Sequence, residues 1–213
     1  MKKIKVISAT VILTILFACE ARVTFNEPQP ANVENLLKFP QRLQGEYLSL
    51  ENGSILTIDN KLIQRIYDFD YKIHPSEIDS TSIINGDTLI DITTNEKTII
   101  RYDDSDSLII HVHYIDTLFQ MNYDNVVRKF KGYLFLNIRY GKESWEVKKM
   151  QLEKGKLVIG RISTKDEIEK LKEITETLED TAPPYNFTAT KKQFGQFIKK
   201  DGFSNNETFI KQK

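Results

Sequence analysis

Residues 133–140 read Tyr-Leu-Phe-Leu-Asn-Ile-Arg-Tyr, then come Gly141-Lys142, and then Ser-Trp-Glu-Val-Lys-Lys-Met-Gln-Leu over 144–152. Successive side chains along a strand point to opposite faces. Tyr133, Phe135, Asn137 and Arg139 therefore share one side, and Leu134, Leu136, Ile138 and Tyr140 the other. A glycine between two such runs suits a tight antiparallel turn. The stretch predicts a β-hairpin in a sheet with one face on a core.

The same signal extends in both directions. Short runs rich in Ile, Leu, Val, Tyr and Thr, separated by turn residues, predict strands. They fall near 44–50, 54–59, 61–67, 88–93, 97–102, 107–116, 118–123, 126–131 and 156–162. Asn52-Gly53, Asn85-Gly86 and Lys154-Gly155 supply glycine where a hairpin turn needs a positive φ. Many strands on short connections predict an antiparallel meander. A long meander tends to close into a barrel or a strongly curved sheet, because closure removes exposed edges.

After residue 162 the period changes. Ile168, Leu171, Ile174 and Leu178 make one helical stripe over 165–179, and Thr164 with Glu167 forms a capping-box pattern. Pro183-Pro184 ends that segment. Thr190 with Gln193 opens a second helix over 190–200, with Phe194, Phe197 and Ile198 on one face and Asp201-Gly202 as the stop. Phe203 and 207–211 are read as returning to the sheet. The expected fold class is mainly β with C-terminal helices (α+β), as a single domain over 43–213. A meander followed by a helix resembles the lipocalin-like (calycin) barrels, and Gly45-Glu46-Tyr47 stands where that family has Gly-x-Trp. That resemblance implies a barrel able to enclose one small ligand.

The N-terminus is of a different kind. Lys2, Lys3 and Lys5 precede an apolar run from Val6 to Phe17, which is shorter than the roughly 20 residues of a membrane span and has the shape of an export signal. Leu16-Phe17-Ala18-Cys19 resembles the lipobox of bacterial lipoproteins. The resemblance implies a signal peptide over 1–18 and acylation of Cys19, hence a membrane anchor in the bacterial cell envelope, with the outer membrane favoured. Residues 19–42 follow as a lipidated cysteine and tether, since Pro28, Pro30 and Pro40 remove backbone donors and several Asn and Gln favour irregular backbone.

Composition narrows the function. The 213 residues carry 30 Lys+Arg against 30 Asp+Glu. Nucleic-acid binders need a basic surplus, so nucleic acid is not expected as a partner. One cysteine allows neither an intrachain disulfide nor a multi-cysteine metal site. No Gly-x-Ser-x-Gly, phosphate-cradling glycine loop or His-Glu-x-x-His occurs, so no cofactor and no catalytic residue is assigned.

Several clusters still carry chemistry. His111 and His113 alternate on a strand, and Asp116 lies nearby. The three are weak metal candidates, set against a reading as two histidines on a mixed sheet face. Asp103 to Asp106 is acidic but lacks the glycine and distant Glu of a helical calcium loop, so it reads as a solvated turn. Lys191, Lys192, Lys199 and Lys200 ring an apolar stripe that fits either a membrane surface or ordinary packing. Tyr133, Phe135, Tyr140 and Trp145 are candidates to line a ligand cavity, with core filling as the alternative. Asp-Ser/Thr followed by an apolar or small residue, at Asp87-Thr88, Asp106-Ser107, Asp116-Thr117 and Asp180-Thr181, looks like the O-glycosylation pattern of some Bacteroidota secreted proteins, or like plain turn chemistry. The expected function is a non-catalytic binding module for a small apolar or amphiphilic ligand. A scaffold or accessory subunit of an envelope complex with a filled barrel is the alternative, and a carboxylate-based hydrolase a minor one.

Overall fold

In the computed structural model, Tyr133–Gly141 (β11) and Ser144–Glu153 (β12) pair antiparallel through Leu134↔Met150, Leu136↔Lys148 and Arg139↔Trp145. The structure describes residues 22–103, 107–177 and 183–212. The expected signal peptide, Cys19, the acidic residues 104–106, the end of the first expected helix and Asp180-Thr181-Ala182 lie outside the described residues.

Thirteen further strands complete the described sheet. They are Val23–Phe25 (β1), Asn35–Leu36 (β2), Gly45–Ser49 (β3), Ile55–Ile58 (β4), Leu62–Ile73 (β5), Ser82–Asn85 (β6), Thr88–Asp91 (β7), Lys97–Tyr102 (β8), Leu108–Gln120 (β9), Val126–Phe130 (β10), Lys156–Arg161 (β13), Tyr185–Phe187 (β14) and Asn205–Lys211 (β15). The strand order is β2-β10-β11-β12-β13-β15-β3-β4-β5-β9-β8-β7-β6, and off this path β1 pairs with β12 and β14 with β1. The meander is thus interrupted. The C-terminal strand β15 joins two runs, pairing β13 on one side and β3 on the other.

One apolar cluster draws Val127 of β10, Leu134 and Leu136 of β11, Met150, Leu157, Phe209, Tyr47, Leu56, Ile63 and Phe119 of β9 around a common interior. Strands near opposite ends of that path reach the same core, so the sheet curls around it. It does not close into the expected barrel. β9 and β10 follow each other in sequence, yet no ladder joins them among the described residues. The Tyr47 that stands in the Gly-x-Trp position is fully buried there, and its hydroxyl donates to the Leu43 carbonyl at 2.7 Å. Burial pushes its pKa up to about 12.

The outer face is covered as well. Phe135, on the opposite side of β11 from Leu134, packs in a second cluster with Phe25, Phe187, Phe194, Phe197, Phe203 and the apolar residues of Lys165–Thr175 (α1) and Lys191–Lys199 (α2). Both helices begin with the capping boxes read from the sequence. Helix α1 ends earlier than expected, because Glu176 adopts a left-handed cap at φ 56°.

The stretch from Arg22 to Pro40 is not a free tether. Val23–Phe25 pairs with β14 and, at Phe25↔Trp145, with β12. Gln29, Pro30, Ala31 and Phe39 are buried. Prolines mark irregular backbone, not exposed backbone. Here Asn137 on β11 supplies the partners that this backbone lacks. Its side-chain amide donates to the Gln29 carbonyl at 2.9 Å, and its oxygen accepts from the Gln29 N–H.

Candidate functional site

The curl leaves a cavity of about 330 Å³ at one end of the inner core. Its apolar wall is Ile63, Leu118, Leu136 and Ile159, and its charged rim includes Arg65, Lys148, Arg161, Glu51 and Glu207. A β-bulge shapes the wall. Ile63 pairs with Phe119 while Gln64 pairs with Thr117, so Leu118 has no partner opposite it. The extra residue re-aims its side chain, and Leu118 packs against the inner core next to buried Phe119. Sequence reading places a strand break at this point. The structure has one thirteen-residue strand with a bulge, and Tyr123 beyond it is exposed.

Arg65 dominates the rim. It donates to Glu207 on β15 at 2.5 Å and to the Tyr67 hydroxyl at 3.3 Å, and its guanidinium lies 5.5 Å from the Phe209 ring. Burial opposes its charge, but the Tyr67 and Glu207 bonds leave its pKa raised. Its Nε is buried with no hydrogen-bond partner among the described residues. Lys148, opposite Leu136, faces the same space and lies 3.8 Å from Glu146. The arrangement presents an apolar floor under charged groups, which suits a ligand with one apolar and one polar end.

Past Ile66 the strands β5 and β9 run on as a ribbon with two unlike faces. On the face that continues from Arg65 stand Tyr67, Phe69 and Tyr71, opposite Tyr114, Val112 and Ile110. The Tyr67 and Tyr114 rings stack at 6.2 Å, and Phe69, Tyr71 and Tyr114 are about half exposed. The other face is polar. His113 Nδ1 is 3.0 Å from Asp68, His111 Nδ1 is 3.1 Å from Asp70, and Arg101 reaches Asp70 at 2.8 Å. The His111 bond, with Arg101 beside it, holds the Asp70 carboxyl below its usual range.

These positions revise the sequence-based site. His111 and His113 do share a face, but Asp116 pairs with Arg65 on the opposite one and does not join them. Among the described residues no group of three His, Cys, Asp or Glu is placed to hold a metal ion. Tyr133 and Phe135 do not line the cavity. They stand on the outer face, where Phe135 meets Phe194 edge-on at 5.0 Å. Trp145 packs beside Arg139 on that same side, and Tyr140 is exposed at the sheet end with the Arg22 guanidinium 4.1 Å above its ring. The alternation over 133–140 is as read, but helices and the N-terminal strand fill the side carrying the large rings. Lys191, Lys192, Lys199 and Lys200 stay exposed while Phe194, Phe197 and Ile198 are buried against the sheet, which is the packing reading of that helix. Sequence reading missed Arg65, Lys148 and Glu207. The one available signal was a charged residue at the inward parity of an apolar strand, as in Ile63-Gln64-Arg65.

No protein-family model, curated protein or solved structure matches this chain. Among the described residues no helix is long and apolar enough to cross a membrane.

Proposed function

We propose that this chain is a lipid-anchored protein of the bacterial envelope whose domain binds a small amphiphilic ligand. The observation that carries the binding reading is the cavity of about 330 Å³ with Leu118, Leu136 and Ile159 below and Arg65, Lys148 and Glu207 at the rim. Its size lies at the lower end of small-molecule sites. The likeness to lipocalin-like barrels enters here only as a sheet wrapped around one cavity. Native mass spectrometry of protein extracted from its own host tests the proposal. The expected result is an added mass that Leu118→Trp removes while the circular dichroism spectrum is kept. A bare chain, or an adduct indifferent to Leu118→Trp, favours the scaffold reading, in which the core fills the curl and the outer surface does the work.

The anchor rests on the sequence of the first nineteen residues, the basic start, the apolar run from Val6 to Phe17 and Leu16-Phe17-Ala18-Cys19. More than one acyl chain is needed for stable attachment, at about 0.8 kcal/mol per buried methylene. Cys19→Ala is expected to move the protein from the membrane fraction to the soluble one. An intact leader and a free thiol in host-derived material, read by intact mass, refutes the anchor.

A further inference from the structure

The ribbon has an unpaired edge. β4 last meets β5 at Ile55↔Ile66. From Tyr67 to Ile73, β5 pairs with β9 on one side and with no strand on the other among the described residues. Alternate residues of this stretch thus point free backbone donors and acceptors outward, a template for another strand. Their side chains alternate between apolar Tyr67, Phe69, Tyr71 and Ile73 and charged Asp68, Asp70 and Lys72.

That charge pattern selects among the registers in which this edge can pair with itself. Residues paired in an antiparallel ladder share a face, so a two-fold axis must pass through a residue. Centred on Phe69, the ladder sets Asp68 against Asp70 twice. Centred on Asp70, it sets that carboxylate against its own copy. Centred on Tyr71, it sets Asp70 against the other copy's Lys72 and Lys72 against the other copy's Asp70, with Phe69 opposite Ile73 and Asp68 opposite His74. Like charges directly opposite destabilise a ladder, whereas opposite charges and aromatic–aliphatic pairs stabilise it. The side chains involved have room for a second partner. Asp70 is 51% exposed beside Arg101, and Lys72 is 57% exposed beside Asp103.

We propose that the Tyr67–Ile73 edge of β5 pairs antiparallel with the same edge of a second copy, in a two-fold dimer centred on Tyr71. The pairing covers the edge and brings the apolar strips of both ribbons onto one continuous face. A closed two-fold contact of this kind consumes the edge in both partners and does not propagate.

Sedimentation equilibrium of the full-length chain in detergent tests this, in a Cys19→Ser background that leaves no other thiol. The expected result is a dimer of the 24.8 kDa chain. Lys72→Asp should weaken it by about tenfold or more by opposing carboxylates across the axis, and Asp70→Lys added to Lys72→Asp should recover most of the loss. Tyr71→Cys should give a covalent dimer on oxidation while Asp70→Cys does not, since only directly opposite positions bring Cβ atoms close enough for a disulfide. A single monomeric species at every concentration overturns the proposal. So does a dimer indifferent to Lys72→Asp, or one that cross-links through residue 70 in preference to 71.

Discussion

Glu167→Ala is expected to lower the unfolding free energy by about 2–4 kcal/mol, because it removes a helix cap and the acceptor of three backbone N–H groups. Glu167 is only 1% exposed. Its carboxylate accepts from the Ser163 and Thr164 backbone N–H groups at 3.1 Å each and from the Thr164 hydroxyl at 2.9 Å, and on its other oxygen from the Ser204 N–H at 2.6 Å. One side chain therefore caps α1 and ties it to the segment entering β15, the strand that joins the two halves of the sheet. Alanine leaves three part-buried backbone donors without this acceptor. Burial alone would raise the Glu167 pKa, yet the bonds from Ser204, Ser163 and Thr164 outweigh it and hold the carboxyl below its usual value. A carboxyl depressed in the folded state contributes stability that is fully present above its unfolded pKa, about 4.3, and is lost as pH falls through the folded value. Wild-type stability should therefore decline on acidification below about pH 4.5. Glu167→Gln should lose stability at neutral pH and show a flatter acid limb. Urea denaturation of the three chains at pH 7 and down to pH 3 decides it. A loss below about 1 kcal/mol for the alanine variant, or parallel acid limbs, would sink this account of the junction.

How much of this was legible beforehand depends on where each force acts. The capping boxes at Thr164–Glu167 and Thr190–Gln193 depend on residues three apart, so sequence alone located both helix starts. The hairpin over 133–152 was equally local, since its alternation and its turn lie within twenty residues. Glu167 as a helix cap was readable, but its bond to Ser204 was not, because a partner 37 residues away depends on how the chain folds back. The same holds for the two sides of β11. Alternation separated Phe135 from Leu134, but both sides turned out to be buried, one in the curl and one under helices, and nothing local says which side faces a cavity. Arg65 and Glu207, 142 positions apart, meet only because β15 inserts between β13 and β3. His111 and His113 were read as one face correctly. Their partners Asp68 and Asp70 lie on a different strand whose register no local pattern fixes, whereas Asp116, close in sequence, falls on the wrong side by parity.

Asn137→Ala is expected to cost about 2–4 kcal/mol and to release the segment that sequence reading took for a tether. Asn137 is fully buried on β11, and its amide donates to the carbonyls of Gln29 at 2.9 Å and Phe135 at 3.1 Å while its oxygen accepts from the Gln29 N–H. Two backbone groups of an irregular, proline-flanked stretch thus find in one side chain the partners that a neighbouring strand would otherwise supply. Alanine removes both at once and opens a polar void between that stretch and the sheet. Asn137→Asp separates the two contributions. A carboxylate still accepts from the Gln29 N–H but faces two carbonyl oxygens with no proton to give, so it should be at least as damaging at neutral pH. Hydrogen exchange supplies the local readout, because wild-type amides near Gln29, Ala31 and Phe39 should be protected and lose protection in both variants before the core of the curl does. The alternative predicts something different. If residues 22–40 were only a spacer holding the domain away from a membrane, their amides would exchange freely in the wild type and the substitution would cost well under about 1 kcal/mol. Under the proposed acylation of Cys19, a packed segment places Phe25, the ladder partner of Trp145, within a few residues of the lipidated position, whereas a free one would let the cavity stand far from it.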